Sequence, residues 1–240
     1  MKNHYACLAL MASIFLFGCS EENDSEPMPL SVPSALDSTE EATDTEGNRY
    51  QVGFNQVSAI NQDPFVRKST AAGETLWYLE HEKSEVDGRA THIFIDADDM
   101  PWVVFSVVGG SYSEAYITER ELASEAAFGG VYQGDYGNGG GPQVSIVARL
   151  NPDTGKIEKA SYVTARKTDG KTNGLKIKSL GMVDGKIAFD AEAVAWPPTI
   201  GSSYERYPDI TDEDRVDGVF NMYYEMDTDL KQIITAELQN

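Results

Sequence analysis

Two short turns constrain this chain more than any other feature. Asp153-Thr154-Gly155 separates V-S-I-V-A-R-L from K-I-E-K-A-S-Y-V, and Asp184-Gly185 separates G-L-K-I-K-S-L from K-I-A-F-D-A-E. The flanking runs alternate in polarity or are rich in β-branched and aromatic residues, which is how strands read. Each connection is a short glycine turn of the hairpin kind. Four consecutive antiparallel strands are therefore expected over about residues 144–194. The same pattern dominates from Arg49 onward, so the fold class is all-β.

The unit repeats. A turn at Ala72-Gly73 precedes E-T-L-W-Y-L-E, and T-H-I-F-I-D runs to a turn at Asp98-Asp99 before W-V-V-F-S-V-V. Gly73 aligns with Gly155, and Ile93 and Ile95 align with Leu175 and Ile177, 82 residues apart. A partial third copy begins near Val219, with Asp227-Thr228-Asp229 at the place of the first turn. A single meander cannot bury both of its faces, so copies must stack. Four-stranded meanders in series point to a small or incomplete β-propeller-like arrangement. In that arrangement the terminal strands would join early segments near 50–57 and 65–68 and close the circle. An open twisted sheet or a β-sandwich is the alternative.

The runs V-A-R-L-N-P-D-T-G-K-I-E-K-A-S-Y-V and N-G-L-K-I-K-S-L-G-M-V-D-G-K-I-A-F-D-A-E resemble the bacterial β-propeller repeat family. The earlier W-Y-L-E and A-T-H-I-F-I-D-A-D-D-M-P-W-V-V-F-S-V resemble it too. The resemblance covers two stretches and implies extracellular β-meander blades, most of them without a defined catalytic site. The family's repeat is shorter, and its propellers close with more blades than this chain supplies.

The start of the chain reads as an address. M-K-N-H is followed by an almost wholly apolar run over 5–17, too short to span a bilayer and remain. It ends L-F-G-C at Leu16, Phe17, Gly18 and Cys19, which resembles the lipobox of bacterial lipoproteins. That resemblance implies a signal peptide over 1–18 and a lipidated Cys19. Cys7 would leave with the signal, so Cys19 would be the mature chain's lone cysteine. Several acyl chains give stable membrane anchoring. By the family's sorting rule, Ser20 after the cysteine implies the outer membrane.

Residues 19–46 then read as an acidic tether. Nine carboxylates (Glu21, Glu22, Asp24, Glu26, Asp37, Glu40, Glu41, Asp44, Glu46) meet no Lys or Arg. The β-repeat domain is assigned to 47–240. Across the whole chain 39 acidic residues against 19 basic ones leave a net charge of −20. Such a surface does not neutralise phosphates, so a nucleic-acid partner is not expected.

The extra length of the repeat sits in two corresponding places, 109–142 and 196–217. The first carries T-E-R-E at Thr118–Glu121, a capping box, with Ile117 and Leu122 as its staple and Gly129 as its stop. A short helix is expected over about 119–128. A glycine-rich loop with Tyr132 and Tyr136 follows, and the second insertion carries Trp196, Tyr204 and Tyr207. Corresponding loops of a repeat emerge on one face. Aromatics there suit sugar stacking or a protein partner, but packing as lids over the blade ends is the plainer reading, since Tyr often serves as a large half-buried residue.

The glycine loop lacks a following Lys and does not open a helix, so it is no phosphate cradle. Asp96, Asp98 and Asp99, and Asp212, Glu213, Asp214 and Asp217, offer oxygens of the kind calcium takes, without EF-hand spacing. Turn formation is the plainer reading of both. Neither a G-x-S-x-G elbow nor H-E-x-x-H occurs. Of the histidines His81 and His92, the second lies in an alternating strand and suits a structural role. No catalytic residue, cofactor or metal ligand is assigned. The leading expectation is a surface-tethered, non-enzymatic lipoprotein using inter-blade loops to hold a protein or glycan. The alternatives are a carbohydrate-active enzyme with an Asp/Glu pair and a periplasmic envelope-assembly factor.

Overall fold

The computed structural model describes residues 40–59, 61–81, 87–109, 126–139 and 141–239. The expected signal peptide, Cys19 and the expected tether up to residue 39 lie outside the described residues. Most of the expected helix over 119–128 does as well, and its last three residues run in turns.

The chain forms three antiparallel meanders in series. The first is β1 (Glu40–Thr43), β2 (Arg49–Gln56), β3 (Gln62–Ser69) and β4 (Thr75–Glu80). The second is β5 (Gly88–Ile95), β6 (Pro101–Gly109), β7 (Gly141–Leu150) and β8 (Ile157–Val163). A small hairpin, β9 (Ala165–Arg166) with β10 (Thr172–Asn173), leads to the third. There β11 (Leu175–Ile177) and β12 (Gly181–Val183) both pair with β13 (Lys186–Ala193). The strands β14 (Phe220–Met226) and β15 (Ile233–Gln239) complete it. One parallel pairing, Leu175 with Val144, joins the second and third meanders into a continuous sheet.

The expected turns are present. Asp184 and Gly185 take φ of +49° and +74° between the paired Val183 and Lys186, the double left-handed geometry of a tight hairpin. The phase of the repeat differs from expectation. The strands over 144–194 do not form one meander, because β8 ends the second unit and β11 opens the third. Likewise β4 ends the first unit and β5 opens the second. A cyclic pattern of strands and turns reads alike in any phase, so periodicity alone does not show where one sheet stops. The expected closure is absent among the described residues: β15 pairs with β14, and β1 with β2.

The boundary at residue 47 also moves. Glu40–Thr43 is a strand, so Glu40, Glu41, Asp44 and Glu46 belong to the folded body. Asp44 is 8% exposed, and its carboxylate accepts hydrogen bonds from the backbone of Glu46 and Asn48 and from the Asn48 amide. Lys68 lies 3.4 Å away. Acidic composition resembled a tether, but these carboxylates have partners.

The middle meander explains the near-continuous apolar run W-V-V-F-S-V-V. Val103, Phe105, Ile146 and Ala148 face the first meander and pack with Tyr50, Val52 and Val66. Trp102, Val104 and Val147 face the third and pack with Leu175, Phe189 and Tyr224. A sheet covered on both faces needs apolar residues at consecutive positions. Each fully buried side chain of this size contributes about 1.5–3 kcal/mol. Three stacked meanders with two cores between them make the fold all-β and propeller-like.

Candidate functional site

Antiparallel meanders put alternate connections at opposite ends. The link from second to third strand, and the link out to the next meander, therefore share one end. Both insertions open there, from Gly109 to Gly141 and from Ala193 to Phe220. They lie within meanders rather than between them, because the phase is shifted by the strands described above.

The five aromatics chosen from sequence are all engaged. Tyr132 and Tyr136 are buried, each in a different core, and are not surface contacts. Burial pushes both hydroxyls up from the ordinary tyrosine value. The Trp196 ring carries the Arg206 guanidinium at 3.5 Å, and its N–H donates to Thr168 Oγ1 at 3.1 Å. Tyr204 lies under Arg166 at 4.4 Å and donates to the Trp196 carbonyl at 3.0 Å. Tyr207 packs half-buried against the second core. Tyrosine's large apolar body explains the outcome: near a blade end it serves as a lid.

The acidic clusters are turns. Asp96 accepts from the backbone of Asp98 and Met100 and from Trp102 Nε1, each at 2.9 Å. Asp99 accepts from Thr45 and so ties the first meander to the second. Asp212–Asp214 is a 3-10 turn capped by Thr211, with Asp212 paired to Arg215. Asp217 takes a φ of +52° in the turn that leads into β14. No metal-holding group of three such side chains converges among the described residues. His92 is satisfied by Thr91 Oγ1 and the Lys178 carbonyl, both at 2.9 Å, and lies 3.6 Å from Glu40. It thus links the first strands of the first two meanders to the residue that follows β11. His81 is fully buried against Phe105, with ring centroids 5.1 Å apart.

A different set of residues forms a polar groove at the same end. A hollow of about 170 Å³ is lined by Asp87, Arg89, Thr91, Ser106, Gln143 and Lys176, with Val107 and Val108 beside them. A second, of about 100 Å³, shares Gln143 and Lys176 and extends to Glu192 and Val194. Three backbone irregularities converge here. The β5–β6 register slips at Thr91, and the β6–β7 register slips at Val108. Gln143, exposed in β7, takes a left-handed φ of +61°. Bulges and left-handed non-glycine residues concentrate where a side chain is being re-aimed.

The groove's charges are arranged by their neighbours. Asp87 Oδ1 accepts from the Gln62 backbone at 2.8 Å, which ties the groove to the first meander. Arg89 rests over Phe54 at 5.3 Å and donates Nε–H to the Gln62 side chain. Glu192 pairs with Lys178 at 3.0 Å. None of these residues was selected from sequence. The one available signal was the glycine run Gly137, Gly139, Gly140 and Gly141, which announces irregular backbone just before Gln143.

No protein-family model matches the chain, and no curated protein does. Solved structures resemble it in fold. An endo-arabinase from Bacteroides thetaiotaomicron shares 13% identity at a TM-score of 0.41, over 88% of this chain and 66% of that one. A thermostable family-43 glycoside hydrolase shares 10% at 0.39, over 83% and 70%. An endo-1,4-β-xylanase from Bacteroides thetaiotaomicron shares 11% at 0.37, over 85% and 72%. The chain thus spans slightly less than two thirds of the arabinase. These structures are named as glycoside-cleaving enzymes, which runs counter to the expectation of a non-enzymatic binding module. At such scores the likeness transfers neither a substrate nor a catalytic residue.

Proposed function

We propose that the chain is a carbohydrate-active enzyme whose substrate lies in the groove at the loop end of the second and third meanders. The convergence of two bulges and left-handed Gln143 on one polar hollow carries this reading. The hydroxyls of Thr91 and Ser106, the Gln143 amide and the Asp87 carboxylate supply both donors and acceptors, which sugar hydroxyls require.

Asp87 is the carboxylate assigned to the reacting bond. Its Oδ1 is occupied by Gln62, and among the described residues Oδ2 has no hydrogen bond. Glu192 does not complete a pair with it. The pairings Gly88–Val107, Val107–Val144, Val144–Leu175 and Leu175–Ala193 place four strand steps between them. At strand spacing that is about 19 Å, whereas a hydrolytic pair stands about 5–9.5 Å apart. Glu192 marks the far end of the groove.

The test is reducing-end release from a panel of plant and cell-envelope glycans. Turnover by the wild type and its loss in Asp87→Asn supports the reading. Binding without turnover overturns the enzyme assignment. The L-F-G-C motif further supports a chain exported and held by lipid at Cys19 on the outer membrane.

A further inference from the structure

We infer that the groove selects an anionic glycan, one bearing carboxylate or sulfate groups. This rests on the reading of the groove as a carbohydrate site and specifies its substrate class.

Two cations, Arg89 and Lys176, line the larger hollow. Among the described residues neither makes an ion pair. The chain carries 39 acidic residues against 19 basic ones, so carboxylate partners are plentiful.

Their surroundings hold them ready. Arg89 is positioned by the Phe54 ring and the Gln62 amide, which uses Nε and, among the described residues, leaves the guanidinium's two terminal nitrogens without a partner. That terminal pair matches a planar carboxylate in a bidentate fork. Lys176 stands opposite Glu192 in the β11–β13 ladder, but Glu192 is taken by Lys178 at 3.0 Å. Of the two carboxylates lining the groove, Glu192 is neutralised and Asp87 is turned toward Gln62 by one oxygen. Among the described residues the larger hollow carries two cations and one carboxylate, on a strongly anionic protein. With a neutral glycan Asp87 is the one described carboxylate facing two cations in the larger hollow, whereas uronate or sulfate groups would supply a second counter-charge.

The experiment measures binding by calorimetry on the full-length protein. The ligands are oligogalacturonate, a sulfated oligosaccharide, a neutral xylo-oligosaccharide and poly-glutamate as a non-sugar polyanion. An anionic glycan is expected to bind at least about tenfold tighter than the neutral one, since charge-assisted hydrogen bonds are roughly twice as strong as neutral ones. Added salt should erode that preference, and R89Q/K176Q should abolish it. Arg89 also touches Phe54 and Gln62, so the melting temperature of the double variant is measured to show that it keeps the fold. The salt series on the wild type tests the inference even if it does not. Whether the uronate or the sulfated ligand binds identifies the source of the charge.

Equal or better binding of the neutral glycan overturns the inference. So does poly-glutamate binding as tightly as the anionic glycan. Neutral glycans bound and cleaved without preference would sink the inference and leave the proposed function standing. If no glycan binds or is cleaved, both fall.

Discussion

His81 gives the most quantitative test of the fold. Its ring is fully buried, and among the described residues neither ring nitrogen has a hydrogen-bond partner. Burial penalises the imidazolium and pulls the pKa down from 6.5 to about 3. The folded protein therefore holds His81 neutral, while the unfolded chain binds a proton near pH 6.5. Stability from this residue is complete above that pH and is lost as pH falls toward 3. Each unit corresponds to about 1.4 kcal/mol, so wild type should lose about 2 kcal/mol by pH 5 on this account alone. Carboxylate titrations contribute too, but they are common to wild type and a variant lacking the imidazole. Urea unfolding of wild type and His81→Leu at pH 7, 6 and 5 isolates the difference. The leucine variant should gain on wild type by about 2 kcal/mol between pH 7 and 5. A packing change shifts both curves by a constant and leaves this slope intact. Parallel curves would refute the burial of a neutral, unpartnered ring.

Three further outcomes follow from other parts of the molecule. Asp44→Ala should cost about 3 kcal/mol in chemical denaturation, because it strips the buried Lys68 of its carboxylate; a tether residue would cost nothing. Burial acts to raise the Asp44 pKa, but the Asn48 hydrogen bonds and Lys68 outweigh it and lower it, so this stabilisation should fade as acid protonates the carboxylate. Gln143→Gly should relieve the left-handed backbone and stabilise by about 1 kcal/mol, while weakening glycan binding; gain of stability with unchanged binding would remove Gln143 from the site. Cys19→Ser should move the protein from membrane to soluble fractions, and unchanged fractionation would refute the lipid anchor.

Strands and turns were legible in this sequence because their chemistry is local. Asp184-Gly185 makes the hairpin for the reason anticipated, two consecutive left-handed residues. The 82-residue register between Gly73 and Gly155 is also real, since each precedes the fourth strand of its meander. What periodicity could not supply was phase: β8 and β11 are separated only by a small hairpin but belong to different units. The buried tyrosines and the partnered Asp44 show a second limit. Sequence left the tyrosines between binding surface and lid and placed Asp44 in the tether, whereas three-dimensional neighbours decide both. The groove was illegible for the same reason. Asp87, Gln143 and Lys176 come from separate strands, and only a parallel pairing between meanders brings the last two together.

The most direct test of the account is a crystal structure of the protein with a bound oligosaccharide that it cleaves. The account predicts sugar rings between Asp87 and Lys176, with Gln143 donating to or accepting from a hydroxyl. Sugar stacked instead on the insertion around Trp196, with the groove empty, would contradict it.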